Sequence, residues 1–232
     1  MKIGKIRIVD DIIQGYIFWF LLHRYFGKNS AVISSLELYD SILLKDGLNY
    51  KISEMALGDI SSSHSDYDFK DIRETDIVLD IGAGCGGFTL PAARKAKKVY
   101  AVEPLFTSEL EDNIQRNNIK NVQVIPFALG DYREMDISYS GCKKKLQTVT
   151  FDEVLEQCGG KIDFLKCDCE GAEWTIKPEL LFGIRRLEIE LHNSTGINKQ
   201  FVQSLKKKGY LIRSEKGPNR FAYEIVHGYL TE

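Results

Sequence analysis

The sequence predicts an α/β protein: helices alternating with apolar strands around a largely parallel, doubly wound sheet. Three observations carry that expectation. From residue 76 onward, DIVLDIG, KVYAVEP, NVQVIPFAL, KIDFLKCD and IRRLEIELH are short apolar runs, as strands covered by helices on both faces require. Helical stripes separate them, and such crossovers are right-handed and leave the strands parallel. The chain has 232 residues, 44% hydrophobic and 28% charged, enough for one sizeable core in a soluble protein.

The elements follow in order. Residues 1–60 read as mainly helical, with an apolar helix near 10–26 and a second near 30–44. The run IIQGYIFWFLLHRYF (12–26) is shorter than the roughly 20 residues that span a bilayer, and it contains Gln14, His23 and Arg24. It is expected to be a buried helix packed on the main domain, with a membrane-surface or dimerisation helix as the alternative. LNYKISEMALGD leaves room for a short strand. SSSHSDYD (61–68) is polar and turn-rich and reads as a linker, dividing the chain into an extension (1–68) and a main domain (69–232).

DIVLDIG (76–82) is the first strand of that domain. GFTLPAARKA (87–96) is a helix with Pro91 in its first turn. KVYAVEP (98–104) is a strand stopped by proline. TSELEDNIQRNN is a helix and NVQVIPFAL (121–129) the next strand. DYREMDISYSGCKKKLQTV (131–149) is a β-rich excursion. TFDEVLEQCGG is a helix that Thr150 and Glu153 start with a capping box. GAEWTIKPELL and NKQFVQSLKKKGY are read as helices, and the end of the chain as a hairpin.

VLDIGAGCGGF places Gly82, Gly84, Gly86 and Gly87 between a strand and a helix. Glycines there let the backbone approach a ligand near free N–H groups. Nicotinamide, flavin and S-adenosylmethionine domains share this pattern. Glu103 ends the second strand, where a carboxylate can accept ribose hydroxyls. Asp80, just before the first glycine, discriminates further: it would repel a pyrophosphate and attract a cationic amine and sulfonium. S-adenosylmethionine is therefore the expected cofactor.

With these residues in view, the chain resembles the FkbM family of S-adenosylmethionine-dependent methyltransferases. The matching pieces are VLDIGAGCGGF, VYAVEP, NVQVIPFALGD, TVTFDEVL and IDFLKCDCEGAEW; the last supplies Lys166, Asp168, Glu170, Gly171, Ala172 and Glu173. The resemblance implies a class I, Rossmann-like methyltransferase fold with a seven-stranded sheet whose last strand is antiparallel. It implies methyl transfer, usually to a hydroxyl oxygen, and an extension placed to cover the substrate pocket. The cofactor positions it points to are Asp80, Gly82, Ala83, Gly84, Gly86, Glu103, Pro104, Phe127, Ala128 and Asp168.

Asp168, Glu170 and His192 are the candidate catalytic residues. Asp168 and His192 end neighbouring strands at the crevice where doubly wound sheets bind ligands. Asp168 would orient a hydroxyl or stabilise the sulfonium; the alternative is a helix cap. His192 would be a base near neutral pH or a strand-end residue bonded to backbone. Glu170 and Glu173 would sit in the first turn of the next helix. His23, His64 and His227 are expected at the surface or in packing. Cys167 and Cys169 point to one face of their strand; packing is favoured over a redox pair or a thiolate site with Cys85, and no metal is expected.

The acceptor is expected to be a hydroxyl on a small molecule, sugar or lipid-linked compound. A net charge of −2 disfavours nucleic acid. The rival function is RNA methylation, because GGFTLPAARKAKKVYAVE with LEDNIQRNN also resembles archaeal tRNA guanine methyltransferases; a non-catalytic cofactor-binding module is a second alternative. An odd cysteine count, five, and the absence of a signal-peptide pattern at the start point to a reducing, cytoplasmic setting.

Overall fold

A computed structural model describes residues 2–3, 6–7, 33–35, 41–44, 46–51, 54–139, 142–192, 197–216 and 223–231. The helix expected near 10–26 lies outside them. Among the described residues no helix is long and apolar enough to cross a membrane.

Strands β1 (Lys2–Ile3) and β2 (Ile6–Arg7) pair antiparallel. β3 (Ile33–Ser35), β4 (Ser41–Leu44) and β5 (Asn49–Lys51) form a small antiparallel sheet. The helix expected near 30–44 is thus replaced by strands. The short apolar run at 42–44 fits a strand as well as a helix, and periodicity alone does not separate the two. The polar stretch read as a linker is mostly helix: α1 spans Glu54–Asp66. Its serines are weak helix formers, and tertiary packing overrides that propensity. Leu44, Leu48, Tyr50, Ala56 and Ile60 share one buried cluster with Ala83, Cys85, Leu90 and Leu110. This part of the extension therefore packs directly on the glycine loop.

The main sheet is the predicted one. Its strands are β6 (Ile77–Ile81), β7 (Lys98–Val102), β8 (Val122–Ile125), β12 (Phe164–Cys167), β13 (Arg186–His192), β14 (Tyr210–Lys216) and β15 (Tyr223–Leu230). They run in the order β14-β15-β13-β12-β6-β7-β8. β15 is antiparallel to both neighbours, and the pairs from β13 to β8 are parallel. The chain moves outward from β6 to β8 and then returns to the other side of β6 with β12. The gap between β6 and β12 is therefore the switch point where doubly wound sheets bind ligands.

Helices α2 (Thr89–Ala93), α3 (Thr107–Arg116), α4 (Phe151–Gln157) and α5 (Ile197–Lys207) cover the faces. The capping box at Thr150 and Glu153 forms as expected. NVQVIPFAL splits at Pro126 into β8 and β9 (Ala128–Leu129), since proline lacks the ladder donor. β9 joins the hairpin β10 (Glu134–Tyr139) and β11 (Cys142–Val149). GAEWTIKPELL forms two short 3₁₀ turns, Ala172–Thr175 and Pro178–Leu181, instead of one helix; Pro178 interrupts the ladder. Beneath α1, the rings of Tyr67, Phe69 and Phe164 pack around Phe88 at centroid distances of 6.0, 4.8 and 5.7 Å, which pins the end of the extension to the sheet.

Candidate active site

The glycine loop leaves β6 at Ile81. Gly82 has φ +74°, and a Cβ there would lie 1.6 Å from the Asp168 carbonyl oxygen. Only glycine lets the loop close against the end of β12. Gly82 and Ala83 donate their N–H groups to the Val102 carbonyl. The Lys166 ammonium, on β12, donates to the Gly82 carbonyl at 2.7 Å. Loop and strand ends are thereby tied into one unit.

Asp80 does not line the crevice. Its carboxylate is fully buried, accepts from Thr89 Oγ1 at 2.5 Å and pairs with Lys166 Nζ at 3.2 Å. The cation that faces it in this structure is Lys166. Burial works against the Lys166 charge, but Asp80, Asp168 and Asp59 outweigh it and hold the amine protonated.

Glu103 stands at the end of β7, as predicted. Its Oε1 accepts from Leu105 N and Phe106 N at 2.6 and 2.9 Å, and its Oε2 from Gly84 N at 2.8 Å. Burial raises its pKa and these three donors oppose the rise. Oε2 retains acceptor capacity, so the group fits a ribose diol beside Gly84. Pro104 follows, partly exposed. Phe127 is half-buried and Ala128 buried. Phe127 lines an open cleft with Thr148, Val149, Glu153, Glu156 and Gln157. Together these groups fit an adenosyl ligand: a buried acid for the ribose, an apolar flank, and a loop tight against β12.

The strand ends beyond Lys166 carry the acids. Asp168 Oδ2 accepts from the Tyr67 hydroxyl at 3.0 Å, and Glu190 Oε2 lies 3.2 Å from the same hydroxyl. His192 stands among four carboxylates. Its Nδ1 is 3.2 Å from Glu173 Oε1; its Nε2 is 3.1 Å from Glu190, 3.5 Å from Glu170 and 3.9 Å from Asp168. Burial lowers the His192 pKa, but Glu173, Glu190 and Asp168 push it up to about 11. The shift favours the imidazolium, the form in which both ring nitrogens are donors.

Glu173 was expected at a helix start, where it does fall, but its side chain turns inward. It is 1% exposed and accepts the His192 N–H at 2.6 Å and the Gly171 N–H at 2.8 Å. Burial raises its pKa, yet the His192 ring, the His192 N–H and its own backbone N–H bring it below the usual value. Glu170 takes φ +56° and is largely exposed; burial and Asp168 raise its pKa while His192 lowers it. The donor atoms of Asp168, Glu170 and His192 lie within 4.8 Å of one another, a spacing that a cation could bridge.

Cys167 Sγ and Cys169 Sγ are 3.6 Å apart, in contact and unbonded. The Cys167 contact and burial raise the Cys169 pKa, so the thiol stays protonated. Tyr67 and Glu190 adjoin Asp168, and Asp59 adjoins the glycine loop; local sequence patterns did not reveal these placements. For Glu190 a signal existed. In LEIELH, Glu188, Glu190 and His192 recur at period two on one face of an otherwise apolar strand.

Comparison with known proteins agrees with this geometry. Residues 80–212 match the methyltransferase FkbM domain. A probable ribosomal RNA small subunit methyltransferase A from Methanosphaera stadtmanae is 42% identical over 57 residues, 24% of this chain and 21% of that protein. The tRNA (guanine(37)-N(1))-methyltransferase Trm5b of Pyrococcus abyssi is 39% identical over 71 residues, 30% of this chain and 21% of that protein. The chain thus spans about a fifth of the length of these curated relatives. An rRNA methylase structure from Streptococcus thermophilus superposes with TM-score 0.51 at 14% identity, covering 78% of this chain and 99% of that one; it shares the fold.

Proposed function

The chain belongs to the methyltransferase FkbM domain family, and from that premise we propose that it moves the methyl group of S-adenosylmethionine to a hydroxyl oxygen of a small-molecule, sugar or lipid-linked acceptor. The observation that carries the proposal is the charge of the crevice. Asp168, Glu170, Glu173 and Glu190 surround one imidazolium, His192. A sulfonium donor supplies the reactive methyl group and a positive charge that such a crevice attracts. An RNA phosphate backbone would be repelled there.

The protein's own residues have separate tasks. Glu103 holds the donor's ribose and Lys166 locks the loop against β12. Asp168, steadied by the Tyr67 hydroxyl, orients the acceptor hydroxyl. As the carbon–oxygen bond forms and the carbon–sulfur bond breaks, the hydroxyl proton goes to Asp168 or Glu170. His192, already protonated, keeps these carboxylates in place and takes no proton.

The relatives named above are RNA methyltransferases, and this supports a second acceptor class, RNA. The shared segments are short, 24% and 30% of this chain. One experiment separates the two. Methyl-labelled S-adenosylmethionine is incubated with the protein and either a panel of hydroxyl compounds or total RNA. Label in an alkali-stable methyl ether is expected; label in RNA alone would reject the hydroxyl acceptor.

A further inference from the structure

Helix α1 lies outside the matched family domain, yet one of its side chains reaches the glycine loop. Asp59 Oδ2 accepts the backbone N–H of Cys85 at 2.8 Å and that of Gly87 at 3.1 Å. Ser63, one turn further along the helix and buried, donates its hydroxyl to Asp59 Oδ1 at 3.2 Å. The preceding loop amide, Gly84 N, goes to Glu103. Two carboxylates from opposite sides therefore grip three amides of one turn, and charge-assisted bonds of this kind are the stronger ones.

The glycines record the same contact. A Cβ at Gly84 would lie 2.7 Å from Asp59 Oδ2, and one at Gly87 would lie 2.7 Å from both the Asp59 carbonyl oxygen and Oδ1. At both positions the absent side chain makes room for Asp59. The sequence pattern alone had assigned that room to a ligand. Tyr50, on β5, adds a 3.4 Å hydroxyl contact to the Gly86 carbonyl.

We infer that Asp59 is a positioning residue for cofactor binding: through the Cys85 and Gly87 amides it holds the glycine loop in the shape that presents Glu103 and Gly84 to the adenosyl group. The extension is then part of the cofactor site as well as a neighbour of it. This rests on the S-adenosylmethionine assignment above, and the test keeps the two apart.

The test is calorimetric titration of the full chain with S-adenosylhomocysteine. Asp59→Ala is expected to weaken binding by about tenfold, the loss of one or two charge-assisted bonds. Asp59→Asn keeps an oxygen that can accept from both amides, and its affinity should stay within about threefold of the parent. Unchanged affinity in a folded Asp59→Ala protein would overturn the inference and leave Asp59 a structural prop. If Asp59→Ala does not fold, Ser63→Ala removes only the hydroxyl steadying Oδ1. It should weaken binding by about twofold to threefold; no change would count against the inference. No binding to the parent protein would reject the cofactor assignment itself.

Discussion

Strand β13 carries two charge networks on one face, and they are built differently. At its lower end, Arg186 and Glu188 are fully buried and paired with each other, His227 Nδ1 lies 2.6 Å from Glu188, and Asp71 pairs with Arg186 at 3.1 Å. The Arg186 guanidinium also stacks 3.7 Å from the Tyr229 ring centre. Charges there nearly cancel. Two residues further along, Glu190 and His192 join Asp168, Glu170 and Glu173, and four carboxylates face one imidazolium. Excess buried charge opposes folding, and the buried members, Glu173 and Glu190, are held by the His192 ring, by backbone N–H groups and by the Tyr67 hydroxyl. The lower network is sealed inside the fold; in the upper one Asp168 is partly exposed and Glu170 reaches the surface.

This contrast can be broken most severely from below. Arg186→Ala should leave Glu188 buried with His227 alone and cost about 3–5 kcal/mol, read as a fall in the denaturant midpoint. A loss below about 1 kcal/mol would mean that the lower network is as adjustable as the upper one. His192→Gln tests the upper end through pH. The folded-state pKa of His192 is raised from 6.5 to about 11. Its stabilisation is therefore complete below about pH 6.5 and is lost as pH rises toward 11. Parent and variant should differ most near pH 6, and the gap should shrink steadily with rising pH and close only as pH passes about 11; a gap independent of pH would remove the imidazolium from the account. Tyr67→Phe should have the smallest effect, about 1 kcal/mol for one hydroxyl, with the sheet core unchanged. A cost above about 3 kcal/mol would make Tyr67 part of the closed framework.

The sheet was legible in the sequence because each strand states its own burial. DIVLDIG, KVYAVEP and IRRLEIELH need no partner to be recognised as two-sided strands. Glu103, Asp168 and His192 were found because they end such strands at the switch point. Asp59 and Tyr67 were not found, since their contacts cross 26 and 101 residues of chain and leave no local period. The protonated state of His192 was hidden for a similar reason. It depends on Glu173 turning inward from a 3₁₀ turn that was expected to be a regular helix. The Lys166 partner of Asp80 was not legible either, because it comes from the next strand in space.

The most direct test of the open acidic crevice compares two ligands that differ by one positive charge. Dissociation constants for S-adenosylmethionine and S-adenosylhomocysteine are measured for the parent protein and for Asp168→Asn. If the crevice receives the sulfonium, the variant should lose more affinity for S-adenosylmethionine than for its neutral counterpart, and the ratio of the two constants should shift by about threefold to tenfold. Equal losses for both ligands, or none for either, would contradict that role for the charge on Asp168.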